Sequence, residues 1–402
     1  PVSGKHSAIV RYCRQRECDA PKKYLVRTKT QGRFIDAPAI AALNYLLFCR
    51  SCFRNQSLIR LICSMKKFFV LFFASLIAFA AFAQTDDPKT LYETAKNFMR
   101  TGDFDNAIVV LGHALEQDKD NLDMQKDMVM CYYLKRDYVK ALDGVKNLID
   151  RKDADEATFQ IAGNVYKALE QPKDCEKIYK KGLKKFPKSG PLYSEYGELL
   201  WSTKDYSAID QWEKGIEVDP SYSGNYYNAA LYYFYTKDKV WSLLYGEIFV
   251  NMESLSERGT AMKQLLLQAY KEKLFADTDL MKGEEKNKSE FAKAFLEGMS
   301  KQYSLAAKGI TAESLTMIRT RFILDWFDHN ATKFPFRLFD FQRQLIQEGM
   351  FDAYDQWLFG ITENPAAYDN WTKTHEQEYN SFIAFQRSRV FRMPAGQYYQ
   401  VK

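Results

Sequence analysis

The chain of 402 residues has few of the residues that metal sites and disulfide frameworks require. It contains four histidines and seven cysteines, and five of the cysteines precede Met65. After Met65 the remaining cysteines are Cys131 and Cys175, too few for a fold that depends on disulfide bonds. The Cys49-x-x-Cys52 pair has no second pair at zinc-site spacing. We therefore expect no bound metal ion and no disulfide bridge.

The sequence also lacks the short motifs of the common enzyme classes. The three histidines after Met65 are His113, His329 and His375, and they form neither an H-E-x-x-H motif nor an i, i+4 pair. There is no G-x-S-x-G motif, Walker glycine run or dinucleotide fingerprint. We predict no catalytic residue and no cofactor. An enzyme site in the C-terminal region around Trp326, Asp328 and His329 is kept as an alternative.

No segment of the sequence is apolar for the roughly 20 residues that a membrane-spanning helix needs. The longest apolar run extends from Phe68 to Ala83, follows Lys66 and Lys67, and ends in Ala-Phe-Ala. A cationic start, a short apolar core and small residues before the cleavage point are typical of a secretory signal peptide. We predict that residues 65–83 are a signal peptide cleaved after Ala83, and that no membrane span remains afterwards.

The segment before Met65, residues 1–64, is interpreted as translated upstream sequence, which we expect to be disordered. It carries 12 Lys or Arg and 3 Asp or Glu, and the predicted signal adds two lysines. Together these exceed the formal net charge of +6 by five, so residues 84–402 carry a net charge of about −5. The basic balance of the whole chain therefore does not indicate a nucleic-acid partner.

Residues 88–255 repeat with a period of 34. Small residues recur at one position in the first four units, and turn residues such as Thr101-Gly102-Asp103 divide each unit in two. Apolar residues lie three and four positions apart within each half, as in an amphipathic helix. One helix pair cannot bury its apolar face alone, so the units must stack. The small position is occupied by Ala107, Ala141, Cys175 and Ala208.

This pattern resembles the tetratricopeptide repeat, in which each unit of about 34 residues forms a pair of antiparallel helices. The resemblance implies an all-α fold: a right-handed superhelix of helix pairs, or α-solenoid, with about five repeats over residues 84–255. It also implies that the first helix of each repeat lines a concave groove. The predicted groove residues are Tyr92, Lys96, Met99, Lys126, Met130, Tyr133, Asn164, Lys167, Trp201, Tyr227 and Phe234.

Aromatic and methionine side chains interleaved with lysines would suit an extended peptide, because they supply contact area and cations. The groove positions of Trp201 and Phe234 are equally consistent with packing beneath the next repeat or the C-terminal helices. The partner predicted from the resemblance is a protein or peptide of unknown identity.

The region 256–402 is expected to be helical as well. Helices are predicted over 255–275, 290–308, 312–328 and 373–389, with a charged linker ending near Glu290. A degenerate repeat is predicted near 339–365, where Gly349, Phe351 and Tyr354 match the spacing of the first unit. Because Tyr354 replaces the small residue, the sequence leaves close helix packing at this place open.

These observations predict an exported scaffold that binds another protein or a peptide in its concave groove, and not an enzyme. A signal beginning Lys-Lys-Phe-Phe and ending Phe-Ala-Gln resembles those of exported proteins from the Bacteroidetes. The resemblance implies a periplasmic or secreted protein of a Gram-negative bacterium. The alternative is a structural adaptor of an envelope assembly that acts through the C-terminal helical region.

Overall fold

The computed structural model describes residues 87–284 and 289–400. The predicted upstream segment and the predicted signal peptide, residues 1–64 and 65–83, lie outside these ranges. Within them all regular structure is helical, which confirms the predicted fold class. None of the helices in the described ranges is long and apolar enough to span a bilayer.

Ten helices between residues 88 and 252 form five consecutive pairs, and each pair packs on the next one. Their bounds are α1 Pro88–Thr101, α2 Phe104–Gln117, α3 Leu122–Leu134, α4 Tyr138–Leu148, α5 Glu156–Ala168, α6 Pro172–Lys185, α7 Gly190–Ser202, α8 Ala208–Val218, α9 Ser223–Tyr235 and α10 Trp241–Met252. The odd-numbered helices are called the first helices below, and the even-numbered ones the second helices.

The turn inside each pair repeats its backbone conformation. A residue with positive φ follows each first helix, so these residues recur at the spacing of the sequence repeat. An aspartate comes next in four of the five units, and Asp103 and Asp137 cap the second helix by accepting a backbone N–H three residues on. The chain therefore reverses through a residue with positive φ in every unit. The positive-φ residues are Gly102, Arg136, Glu170, Lys204 and Lys237.

The predicted small positions lie where the helices of a pair touch. Ala107, Ala141, Cys175 and Ala208 are all fully buried. Glycines serve the same purpose elsewhere, since a Cβ on Gly163 would overlap the phenol ring of Tyr179. Close approach of the helix backbones is what lets the surrounding aromatic residues fill the interface.

The region after α10 continues the helical packing with shorter and less regular elements. The helix α11 (Glu257–Ala269) runs on as a π-helical turn, Tyr270–Leu274. The remaining helices are α12 Glu290–Ser300, α13 Tyr303–Ala306, α14 Ala312–His329, α15 Arg337–Gln347, α16 Phe351–Asp355, α17 Ile361–Glu363, α18 Pro365–Thr374 and α19 Glu376–Arg387, with a π-helical turn at Gln356–Gly360 between α16 and α17.

Two sequence expectations for this region are wrong in detail. The helix predicted over 290–308 is broken after Ser300, because the backbone N–H of Gln302 turns back to Met299 O and a new short helix begins. The helix predicted over 373–389 begins at Glu376, and the helix before it, α18, was not predicted. Asn364 caps α18 and Pro365 occupies its first turn, which is a recognisable helix start.

The segment predicted as a degenerate repeat forms a helix, a turn and a second helix. Gly349 in the turn has a φ of 68°, close to the 79° of Gly102. Tyr354, at the position of the small residue, is fully buried and donates a hydrogen bond to Glu247 Oε1 at 2.8 Å. The large side chain is accommodated because it points into the fifth helix pair, to which Glu247 belongs.

Candidate functional site

The first helices lie next to one another along the stack. α3 contacts α5, α5 contacts α7 and α7 contacts α9, more extensively than successive second helices contact each other. The face formed by α1, α3, α5, α7 and α9 is called the first-helix face below.

Polar side chains link consecutive first helices across this face. The Tyr92 hydroxyl donates to Asp127 Oδ2 at 2.8 Å, and Lys167 Nζ donates to Glu195 Oε2 at 2.8 Å. Farther along, Asn228 Nδ2 donates to Glu198 Oε1 at 3.0 Å. Part of the predicted groove therefore stabilises the stacking of the repeats.

Sequence reasoning missed two acceptors in this series, Asp127 and Glu195. They occupy the same position of the repeat unit, two repeats apart. Carboxylates at the same position of two repeats could have indicated these acceptors from the sequence. Burial raises the pKa of Asp127, although the hydrogen bond from Tyr92 opposes this effect.

Lys126 is a member of the predicted groove that the structure places inside the repeat interface. It is 8% exposed, and its Nζ lies 2.5 Å from Asp155 Oδ2 and 2.8 Å from Asp123 Oδ1. Burial lowers its pKa, but these two carboxylates outweigh burial and raise the pKa above the ordinary value. Since Asp155 also caps α5, Lys126 fixes the start of the next first helix.

The tyrosines of the predicted groove remain partly exposed at different points along the stack. Lys96 Nζ lies 4.7 Å from the ring centre of Tyr92, in a cation–π contact. Tyr133 packs beside Tyr138 with ring centres 6.0 Å apart. Tyr227 packs on Phe249 at 4.9 Å. Each ring therefore packs against at least one neighbouring side chain and is still partly exposed.

The other predicted groove residues differ in their surroundings. Trp201 is 37% exposed and lies in an aromatic cluster with Tyr206, Trp212 and Tyr232. Phe234 is half-buried, with Lys273 Nζ at 4.7 Å from its ring centre. Both residues are therefore partly packed against neighbouring side chains and partly exposed. Met99, Met130 and Asn164 are half-buried on α1, α3 and α5.

A buried polar network joins the fifth helix pair to the C-terminal region. Arg319 on α14 is 1% exposed and forms ion pairs with Glu247 on α10 and Asp355 on α16. Gln342 Nε2 also donates to Glu247 Oε1, at 2.6 Å, and Tyr354 donates to the same oxygen. Burial raises the pKa of Asp355 to about 7, although the nearby Arg319 opposes the rise. The C-terminal region is thus held to the repeats by buried charges.

Lys263 on α11 forms a second contact with the C-terminal region. It is 9% exposed, its Nζ donates to Trp357 O at 2.9 Å, and the ammonium lies 3.5 Å from the centre of the Trp357 ring. Burial lowers the pKa of Lys263 to about 7. The protein therefore holds this amine in a place that favours its neutral form.

The low pKa of Lys263 predicts a rise in stability with pH. Between its folded pKa of about 7 and its unfolded value, the unfolded chain binds more protons than the folded chain. Lys263 should therefore contribute an increase of about 1.5 kcal/mol to the free energy of unfolding from pH 7 to pH 8.5. Urea unfolding at both pH values measures this. In Lys263→Met the increase should disappear, and an equal increase in both proteins would contradict the assignment.

The residues named for the alternative enzyme site do not converge. Trp326 is buried at 1% exposure, whereas Asp328 and His329 are exposed. His329 Nδ1 lies 3.4 Å from Asp325 Oδ1, and Lys301 pairs with that same carboxylate. Among the described residues, no group of three or more His, Cys, Asp or Glu is arranged to hold a metal ion. Cys131 and Cys175 are buried free thiols.

No protein-family model matches the chain, and no curated protein matches it at a significant level. Solved structures with similar helix pairs include a tetratricopeptide repeat protein from Parabacteroides merdae, 13% identical, with 69% of this chain and 99% of that chain covered and a TM-score of 0.37. A thermophilic protein of this type from Thermus thermophilus is 12% identical, with 45% and 99% covered and a TM-score of 0.38. PilF of Pseudomonas aeruginosa is 13% identical, with 48% and 86% covered and a TM-score of 0.40. With its own five helix pairs and their period of 34, the chain has a tetratricopeptide-repeat-like fold.

Proposed function

We propose that this chain is a scaffold that holds a protein or peptide partner along its first-helix face. One observation carries the proposal: partly exposed tyrosines lie at separate points of a single continuous face of five adjacent helices. Aromatic rings supply large contact areas while few rotors become fixed, and they are enriched among the residues that dominate binding energy. Tyr92, Tyr133 and Tyr227 are spaced so that an extended ligand would reach all three.

The polar residues of the first-helix face support partner binding by holding neighbouring first helices together. The contacts of Tyr92, Lys167 and Asn228 with an adjacent first helix keep the tyrosines at fixed separations. A preformed surface loses less entropy on binding than a mobile one. Lys96 remains partly exposed at the side of Tyr92 and would act mainly on the association rate and its salt dependence.

We further propose that the scaffold works outside the cytoplasm. The support for this is the sequence of residues 65–83, with its two lysines, short apolar run and Ala-Phe-Ala ending. Cleavage after Ala83 would release the chain to the periplasm or the medium of a Gram-negative bacterium, as expected for an exported protein of the Bacteroidetes type. N-terminal sequencing of the protein made from its natural gene tests this part of the proposal.

A role as a structural adaptor through the C-terminal region is the second candidate. It is favoured by exposed apolar side chains on α14, where Met317 is 49% and Leu324 is 53% exposed. These residues are seven positions apart and therefore lie on one side of the helix. A partner held by this surface would not depend on the tyrosines of the first-helix face.

The two candidates are separated by alanine substitutions at the two surfaces. A partner captured with the chain starting at Gln84 should bind Tyr92→Ala, Tyr133→Ala and Tyr227→Ala variants more weakly by about 1–2 kcal/mol each. Isothermal titration with the purified partner measures the loss, and circular dichroism checks that each variant is folded.

Control substitutions use exposed apolar residues of the second helices, Val109→Ala and Val139→Ala, which are 57% and 71% exposed in the original chain. They should leave affinity unchanged. A variant with all three tyrosines replaced by alanine is compared with the double variant Met317→Ala, Leu324→Ala. If the folded triple variant binds at full strength and the double variant binds weakly, the partner is held by the C-terminal region and not by the first-helix face.

A further inference from the structure

The last described residues leave the helical fold and lie across the junction between the repeats and the C-terminal region. After Arg387 the chain forms no helix or strand up to residue 400. Phe391 and Met393 are buried, and residues 397–400 are half-buried. The segment 394–400 has no charged side chain. Residues 397–400, Gln-Tyr-Tyr-Gln, are called the terminal segment below.

Each residue of the terminal segment makes a specific polar contact, and the first two are with α15 and α8. The N-terminus of α15 has no side-chain cap of its own, and Gln397 Oε1 accepts the N–H of Arg337 there at 2.6 Å. Tyr398 makes a hydrogen bond with the carboxylate of Glu213 on α8. Glu213 is 1% exposed.

The other two residues contact the backbone and the fifth helix pair. Tyr399 accepts a hydrogen bond from Ser289 Oγ through its backbone carbonyl at 2.8 Å, and its hydroxyl donates to Pro335 O at 2.7 Å. Its ring stacks on Phe291, with centres 4.7 Å apart and planes inclined by 8°. Gln400 Nε2 donates to the Tyr233 hydroxyl at 2.7 Å.

These contacts hold the terminal segment in one position and one direction. A backbone carbonyl, a helix N-terminus and a stacked ring fix the direction of the segment. The carboxylate of Glu213 gives chemical selectivity, because it also accepts from Tyr233 at 2.7 Å and Tyr245 at 2.9 Å. The Glu213 carboxylate thus accepts hydrogen bonds from the hydroxyls of Tyr233 and Tyr245 and also binds the hydroxyl of Tyr398.

We propose that the surface formed by Glu213, Tyr233, Ser289, Phe291 and the N-terminus of α15 is a peptide-binding site for an extended, uncharged segment with two adjacent tyrosines. In this chain its own terminal segment occupies the site. The site includes Tyr233 on α9 but none of Tyr92, Tyr133 and Tyr227, so it stands whether or not the first-helix face binds a partner.

The test uses a chain that ends at Met393, which keeps the buried Phe391 and Met393, and a fluorescent peptide with the sequence of residues 394–402. Fluorescence anisotropy should show saturable binding of one peptide to one truncated chain. The intact chain should bind at least about 100-fold more weakly, because its tethered segment has an effective concentration in the millimolar range. A peptide with Tyr398→Phe should bind the truncated chain at least about tenfold more weakly, since it cannot reach the buried carboxylate.

Folding of the truncated chain is checked by circular dichroism and thermal unfolding. If it does not fold, the full chain with Tyr398→Ala and Tyr399→Ala replaces it in the same titration. The proposal is overturned if a folded receptor binds the peptide no better than the intact chain does, or if the Tyr398→Phe peptide binds with equal affinity. It is also overturned if neither receptor folds, because the segment would then be an obligatory part of the fold.

Discussion

Replacing Arg319 with methionine should lower the free energy of unfolding by about 3–5 kcal/mol. The guanidinium pairs with Glu247 and Asp355, and all three residues are at most 3% exposed. Without it two carboxylates would face each other in a space that water does not reach, and removing one partner of a buried ion pair leaves the remaining charge uncompensated. Urea unfolding monitored by circular dichroism measures the loss.

Arg321→Met is the matched control, because this arginine is two residues farther along α14 and exposed. Its effect should stay within about 0.5 kcal/mol. Adding Glu247→Gln and Asp355→Asn to Arg319→Met should recover part of the lost stability, since the neutral amides need no counter-charge. A loss below about 1 kcal/mol in Arg319→Met would show that the pairing contributes little to the attachment of the C-terminal region.

Phe291→Ala should cost a similar amount, about 3–5 kcal/mol, because truncating a buried aromatic ring leaves a cavity. Phe291 is 1% exposed and contacts rings from three parts of the fold: Trp241 of the fifth helix pair, Trp326 on α14 and Tyr399 of the terminal segment. The substitution removes the surface on which all three meet.

Phe291→Leu is the conservative comparison, and its cost should be below about 1.5 kcal/mol because most of the volume is kept. Limited proteolysis gives a second measurement: cleavage after Arg389 or Arg392 should be faster in Phe291→Ala, where the terminal segment has lost its stacking partner. Equal cleavage rates and equal stability in the two variants would contradict the packing described for Phe291.

The period of 34 was enough to predict an all-helical stack, for a physical reason. Helix pairs that pack only on their neighbours require the same small residues and the same turn in each unit, so Ala107, Ala141 and Ala208 recur in the sequence. The break between α12 and α13 was not predicted, since residues 290–308 contain neither proline nor an aspartate cap there. Such breaks depend on tertiary contacts, which outweigh local helix propensity.

The candidate site could be predicted in outline but not in its pairing. The sequence indicates that Tyr92, Lys126 and Lys167 belong to first helices, and the structure shows their partners on the next first helix or at its start. A hydrogen-bonding side chain about one repeat away is brought close by the stacking of the units, and a local sequence pattern cannot identify it. The contacts of the terminal segment could be predicted even less, because Gln400 donates a hydrogen bond to Tyr233, which is 167 residues away in the sequence.

Site-specific photo-crosslinking tests whether the partner binds to the first-helix face. A photoreactive amino acid placed at Asn164, half-buried on α5, would lie between the chosen tyrosines, whereas one at Lys177, exposed on α6, would lie on a second helix. We expect the partner captured with the chain to crosslink from position 164 and not from position 177. Crosslinking from position 177 alone, in a folded protein that still binds its partner, would contradict this expectation.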